Sequence, residues 1–439
     1  MSHARTVAMV AGTLGLGGTE KGMVTHALRL DRTRFSPRVI ALYEEGPRRA
    51  DLEAGGVEVG CAQGNLERLI ELLDGADLVH VFRHGGHDPL LPEACRQTGV
   101  RILVESNIFG AVDRSPDESL IACHLFLSLM CLRRYREWVG SPEPFGERHR
   151  VSYLPVDADR LRTLAPDTRT AKLALGFDPD RPLVGRLGRA ADLKWRDLLI
   201  DMAPHLIDLV PDVQILYVGM TPSKQRRAGR LALLEQIRAH PAVADEERLA
   251  GLYRACDVVI NGAVIGESQG VALAEAMALE VPVVTCSTPW ADNAQVEMVD
   301  HGVTGWVANH PKPFAEAVAD LVHNPERRRV FGRAAAAKVD TLLNPDRLTR
   351  QLESLYDHHL GGGTGSLPWS PDEETVARFD AEYPALAARQ FRPLSGREQL
   401  EAGLERRRDR ARQLTASARM VATSMAQTAR AKAAAHGRR

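Results

Sequence analysis

Gly266-Glu267-Ser268-Gln269-Gly270-Val271-Ala272-Leu273-Ala274-Glu275-Ala276-Met277, closed by Val281-Pro282-Val283-Val284, reads as a loop, a helix opened by a glycine, and a short buried strand. The two glutamates stand eight residues apart, which puts one carboxylate on the loop and the other about a turn and a half into the helix, within reach of one ligand. An ordinary solvated helix has no need of Glu275 inside the apolar run 271–277. Carboxylates are strong acceptors, suited to the vicinal hydroxyls of a sugar or ribose. The amides of Ser268, Gln269 and Gly270, at the start of a helix, suit sugar oxygens or phosphate.

Outward from this unit, the same alternation of short apolar run and helix occurs in two series, the mark of parallel sheets joined by crossover helices. The first series has strands expected at 7–11, 38–43, 57–60, 76–82, 101–105, 125–129 and 151–156, with helices such as 20–29 and 66–73 between them. A polar stretch with Pro166, Pro179 and Pro182 then suits a linker. The second series has strands expected at 183–187, 213–218, near Ala242, 257–261, 281–285 and 305–307. Two doubly wound α/β domains follow, residues 1–165 and 166–343, with a helix at 344–360 beyond them. Facing one another, two such domains would line a cleft with their strand-end loops.

Two further loops fall at such strand ends. Gly12-Thr13-Leu14-Gly15-Leu16-Gly17-Gly18-Thr19-Glu20 follows the first strand and opens a helix, where glycines let a phosphate approach backbone amides; it is not a GxGxxG in register, which argues against an NAD site. Leu183-Val184-Gly185-Arg186-Leu187-Gly188-Arg189, with Lys194 after it, offers cations that neutralise a diphosphate, arginine through paired hydrogen bonds and lysine as a point charge. Lysine is scarce here, seven of 56 basic residues, so Lys194 carries more weight than any one arginine; the arginine excess fits a GC-rich bacterial genome. His80, His84, His87 and Asp88 gather near a first-domain strand end. They span a strand and a Gly85-Gly86 loop without an obvious fourth ligand, so ordinary loop residues or a lining for an acceptor are preferred to a metal site.

Composition narrows the class. With 439 residues, 44% hydrophobic, and a formal net charge of -1, the chain has no electrostatic reason to take nucleic acid as its main partner. Six cysteines lie apart with no CxxC pair, which reads as reduced thiols of a cytoplasmic protein; no secretory segment and no membrane span is expected.

Together, the Gly17-Gly18-Thr19-Glu20 loop, the Gly185-Arg186 and Lys194 pair, the Glu267-(seven residues)-Glu275 signature and Asp300-His301-Gly302-Val303-Thr304-Gly305 resemble the retaining glycosyltransferases of family 4 over about residues 5–360. The resemblance implies the GT-B architecture, no metal and no cofactor, with a nucleoside diphosphate sugar as co-substrate and a small polar acceptor, as in natural-product, thiol or cyclitol metabolism. It implies that Arg186 and Lys194 hold the diphosphate, Glu275 the ribose, and Glu267 with the following amides the donor sugar. The catalytic candidates are thus Arg186, Lys194 and Glu267. The donor set adds Gly17, Gly18, Arg189, Val243, Ser268, Gln269, Gly270, Val271 and Glu275, and the acceptor side takes Glu20, His84 and Asn107. Family members place the basic pair about five residues apart; here Arg186 stands eight and Arg189 five before Lys194, and both remain candidates. Many members carry a histidine after the strand that ends at Glu105, where this chain offers Glu105 or Asn107. A sugar epimerase on the same frame, or a subunit that binds a nucleotide sugar without turnover, are the alternatives.

The tail reads differently. Gly361-Gly362-Gly363-Thr364-Gly365-Ser366 is a flexible break, and Leu400, Leu404, Ala411, Leu414, Ala418, Val421 and Met425 form a thin helical seam interrupted by Arg407. Residues 397–439 hold 11 basic and 4 acidic side chains, a net of +7. The expectation is an accessory surface helix, removable after Leu360. Packing on a partner subunit, including a homodimer, is the second reading, and membrane-surface or nucleic-acid contact the third.

Overall fold

The computed structural model describes residues 4–140, 148–362 and 366–436, without the side chains of residues 417 and 419–436. Two compact units result, one gathering Met1–Pro155 and Asn344–Ala381, the other Val156–Leu343 and Glu382–Ser417, with the chain end from Ala418 assigned to the first.

The first unit is built on seven parallel strands, β1 Arg5–Thr13, β2 Phe35–Glu44, β3 Glu58–Cys61, β4 Leu78–Arg83, β5 Leu103–Asn107, β6 Ile121–Phe126 and β7 His149–Val151. They run in the order β3-β2-β1-β4-β5-β6-β7. Val7 to Val10 are fully buried, as a strand covered on both faces requires. Two expected strands were misplaced. Residues 125–129 straddle a boundary, because Ser128 caps the helix Leu129–Val139 by accepting from the Cys131 N–H. Of 151–156 only Val151 is strand.

The helix Pro345–Leu360 belongs to this unit. Asn344 caps it, and its buried face supplies Thr349, whose hydroxyl meets His26 Nδ1 at 2.9 Å, and Tyr356, whose hydroxyl meets His80 Nδ1 at 2.6 Å. Burial holds both imidazoles neutral, His26 at a pKa of about 3 and His80 well below the ordinary value. His80 is therefore core rather than site, and the expected His80, His84, His87 and Asp88 grouping is split. Among the described residues no group of three His, Cys, Asp or Glu is close enough to hold a metal ion.

The second unit carries six parallel strands, β8 Leu183–Arg186, β9 Gln214–Val218, β10 Ile237–His240, β11 Val258–Ile260, β12 Val283–Thr285 and β13 Gly305–Val307, in the order β10-β9-β8-β11-β12-β13. Ala242, expected in a strand, lies in the loop after β10. Trp195, Leu198, Leu199, Tyr217 and Phe314 anchor its core.

The tail departs most from expectation. Gly363, Thr364 and Gly365 of the glycine-rich break, and the side chains of Val421 and Met425, lie outside the described residues. The chain from Glu382 to Ser417 is part of the second unit rather than an accessory. In the helix Gly396–His436 the leucine seam faces outward, Leu400, Leu404 and Leu414 being 67%, 48% and 57% exposed. Glu398, Ala402, Glu405 and Asp409 face the protein instead. Asp409 and Glu405 meet the fully buried Arg196 at 2.9 and 3.2 Å. The buried Arg196 guanidinium takes its counter-charges from this helix, which turns its acids inward. No described helix is long and apolar enough to cross a membrane.

Candidate functional site

In the second sheet the strand order reverses between β8 and β11, the place where doubly wound sheets bind ligands beyond their strand ends. β8 ends on Arg186. Its side chain is only 2% exposed, and its guanidinium lies over the Trp195 ring, 4.0 Å from the centroid. One terminal nitrogen donates to the Lys194 carbonyl oxygen. The Nε and Nη1 donors meet no acceptor among the described residues. Burial draws the pKa down to about 10, which leaves the group charged at neutral pH. A Cβ at Gly188 would stand 2.3 Å from Nη1, so only glycine there leaves the guanidinium in place.

The loop after β11 brings the opposite charge. Lys194 Nζ lies 2.8 Å from Glu267 Oε2, and Asn261 Nδ2 lies 3.4 Å from Oε1. Gly266 turns this loop with φ +64, and a Cβ there would fall 1.5 Å from the Asp292 carbonyl oxygen. The Glu267 N–H donates to Gln295 Oε1 at 3.1 Å, and its carbonyl accepts from the Ala294 N–H at 2.9 Å. Both main-chain groups of Glu267 are thereby fixed. Gly270 opens the helix Val271–Ala278, in which Glu275 is 5% exposed and accepts from the Tyr253 hydroxyl at 3.2 Å. Burial, then the Glu275 charge, pushes the Tyr253 hydroxyl far above its usual value, so it stays a donor.

Arg186, Lys194 and Glu267 are thus brought together, with Glu275 and buried Gln269 on the same loop and helix; Ser268 and Val271 are half-buried. Arg189 is exposed and makes no ion pair among the described residues, and Val243 is half-buried in the loop after β10. In the first unit, Gly17 caps the helix Gly18–Arg29, and a Cβ there would strike Glu20 Oε2 at 2.1 Å, so this carboxylate is folded back over its own helix start. His84 is exposed, its Nδ1 accepting from the Gly86 N–H at 3.0 Å. Asn107 is buried, donating to the Ala111 carbonyl at 2.8 Å, while its Oδ1 has no partner. Glu105, the other residue at that strand end, is taken up by Arg83 at 2.6 Å and His124 at 2.5 Å.

Three supports escaped the sequence. Trp195, next to Lys194, carries the Arg186 guanidinium; its position after the strand-end loop was the available signal. Gln295 bonds the carbonyl of Cys286, Thr288 Oγ1 and Asn293 Oδ1, and Asn293 Nδ2 donates to the Tyr383 hydroxyl at 3.0 Å. The tail therefore reaches the Glu267 loop through two amides. Ninety residues separate Asn293 from Tyr383, and no local pattern announces such a contact.

Residues 181–324 match the sequence model of the glycosyl transferases group 1 family. The chain is 28% identical over 207 residues to a D-inositol 3-phosphate glycosyltransferase of Segniliparus rotundus, covering 43% of this chain and 45% of that protein. It is 32% identical over 211 residues to a GDP-mannose-dependent alpha-(1-6)-phosphatidylinositol monomannoside mannosyltransferase of Mycolicibacterium smegmatis, covering 43% and 52%. The chain spans about half the length of the curated relatives it matches. Its fold is similar to that of Anabaena HepE, solved with UDP and glucose, at a TM-score of 0.66 and 18% identity over 80% of this chain and 99% of that one. The two sheets build a GT-B fold, and the stretch that holds the Arg186 and Glu267 loops is the part that matches the glycosyl transferases group 1 model.

Proposed function

We propose that the protein is a metal-independent, retaining glycosyltransferase that moves a sugar from a nucleoside diphosphate sugar to a small polar acceptor. The observation that carries the reading is Arg186, a buried cation at the strand-order reversal with two donors that no group among the described residues accepts. Buried donors of this kind are otherwise satisfied, and diphosphate oxygens supply both the acceptors and the counter-charge. Lys194 adds a second cation at the cost of loosening its bond to Glu267, which frees that carboxylate for donor-sugar hydroxyls. Glu275, held by Tyr253, takes the ribose, and Ser268 to Val271 donate backbone amides at the helix start. Arg186 rather than Arg189 carries the diphosphate on this reading, because only Arg186 is held in place. Asn107, with its free Oδ1, and His84 and Glu20 are the acceptor contacts of the first unit. The relatives named for inositol phosphate and phosphatidylinositol support a cyclitol-bearing acceptor.

Arg186 and Lys194 would stabilise the departing diphosphate, and the acceptor hydroxyl would attack from the leaving-group face, so that the diphosphate oxygen receives the proton. No separate base is required. The test is turnover of a panel of nucleoside diphosphate sugars with inositol phosphates as acceptors. Free nucleoside diphosphate should appear only when acceptor is present, the anomeric configuration should be kept, and EDTA should leave the rate unchanged. Donor binding without release under any acceptor would mark a non-catalytic subunit, and interconversion of the donor sugar an epimerase.

A further inference from the structure

We infer that the outward face of the helix Gly396–His436 is a docking surface for an anionic lipid bilayer, which would hold the second unit against a membrane. At 100° per residue, Glu398, Ala402, Glu405 and Asp409, spaced four, three and four apart, share one face, the face turned to the protein. All four acids of the segment are used there or beside it. Glu398 binds Arg392 at 2.8 Å, Glu405 and Asp409 bind Arg196, and Glu401 meets His310 at 3.1 Å and Arg397 at 2.8 Å. The opposite face carries Leu400, Leu404, Ala411 and Leu414, all exposed, with exposed Arg407 among them and Arg406, Arg408 and Arg410 flanking them. These four arginines make no ion pair among the described residues. By drawing Glu398, Glu405 and Asp409 inward and pairing the exposed Glu401 with Arg397 and His310, the fold leaves an apolar stripe inside a largely cationic border.

That combination selects the occupant. A second copy meeting this face by a two-fold axis would bring arginines against arginines, with only Glu401, already paired with Arg397 and His310, as an outward acid. A nucleic acid would use the arginines and leave the leucines wet. A bilayer with acidic headgroups uses both, the leucines entering the acyl boundary and the arginines reaching back to the phosphates. Residues 397–439 carry a net +7 in a chain whose overall net charge is -1, so this segment is strongly cationic against the rest of the molecule.

The experiment is co-sedimentation of the full chain with vesicles of 70% phosphatidylcholine and 30% phosphatidylglycerol, against pure phosphatidylcholine vesicles. Binding should need the anionic lipid and weaken in 0.5 M salt. An arginine near such a surface is worth roughly fivefold in partition, so replacing Arg406, Arg407, Arg408 and Arg410 by Gln should reduce it by about a hundredfold or more. Replacing Leu400, Leu404 and Leu414 by Gln should reduce it about tenfold or more. Both variants alter only exposed side chains, and an unchanged thermal midpoint verifies that they fold. Equal sedimentation with neutral and anionic vesicles, or none with either, overturns the proposal. So does full binding by the leucine variant, the behaviour of a purely electrostatic arm for nucleic acid. A dimer in sedimentation equilibrium that the leucine variant dissolves would show that a second copy covers the face.

Discussion

The two sheets each end in a buried polar cluster, and the clusters differ in one respect. In the first unit Glu105 is closed in by Arg83 and His124; His124 continues to Glu118 at 3.2 Å, Glu118 to Arg148 at 2.8 Å, and Arg83 to Asp113 at 3.4 Å. Every charge there has a counter-charge of the protein. In the second unit Arg186 is as deeply buried, yet two of its donors are left open. A self-satisfied network fixes a structure, whereas a buried cation with open donors is poised for an anion. Charge alone does not distinguish them; both clusters contain arginine, glutamate and aromatic rings.

The largest effects should come from breaking the closed pairs. Glu105→Ala in the first unit and Asp409→Ala in the second each take the nearest counter-charge from a buried cation, leaving Arg83 with Asp113, His124 with Glu118 and Arg196 with Glu405, and should cost about 3–5 kcal/mol in urea unfolding, with donor affinity of the folded Glu105→Ala protein unchanged. A chain ending after Leu360 loses Glu405 and Asp409 together and should be insoluble, whereas a soluble, donor-binding product would show that Arg196 finds another partner.

Arg186→Met tests the open cluster. Burial of a donor-bearing cation is replaced by an apolar stem, so stability should hold or rise while nucleoside diphosphate affinity falls about a hundredfold by calorimetry. A matching loss in Arg189→Met, which is expected to change affinity less than threefold, would move the diphosphate site.

The two glutamates should then separate. Glu275→Ala should weaken donor and free nucleoside diphosphate together, about ten- to hundredfold, since the ribose is held alike before and during transfer. Glu267→Ala should spare nucleoside diphosphate binding and lower kcat. Equal losses in both would place the pair on one part of the donor.

Acid should find the first unit before the second. His26 keeps a folded pKa of about 3 against about 6.5 when unfolded, so its unfolded form binds the extra proton in that window. The stability it contributes is present above 6.5 and declines as pH falls, by about 2 kcal/mol at pH 5. His124 works the other way. Burial opposes its charge, but bonds to Glu105 and Glu118 raise its pKa, so its contribution is full below 6.5 and is lost as pH rises through the folded value. His26→Gln should flatten the loss between pH 7 and 5 in urea titrations, and an unchanged slope would exclude His26.

Tyr383→Phe carries the smallest effect. It removes the oxygen that accepts from Asn293, costs about 1 kcal/mol, and should raise KM for the donor a few-fold through the Gln295 support of Glu267.

The sequence by itself determined the two parallel sheets, because β-branched runs alternating with helices leave few other folds, and it marked Arg186 and Lys194 after β8 and Glu267 and Glu275 on the loop and helix after β11, because each pair has a local spacing. Local pattern could not tell which arginine is held, since Trp195 and the Lys194 carbonyl decide that only once the loop has closed. Nor could it separate His80 from His84, two residues of one strand end that the fold sends to core and surface. The tail was misread for the same reason: leucine periodicity names the apolar face of a helix, but it is blind to the buried Arg196, whose loss of counter-charge would cost about 3–5 kcal/mol. Only the tertiary structure, by placing Arg196 under that helix, decided that its acids turn inward and its leucines out.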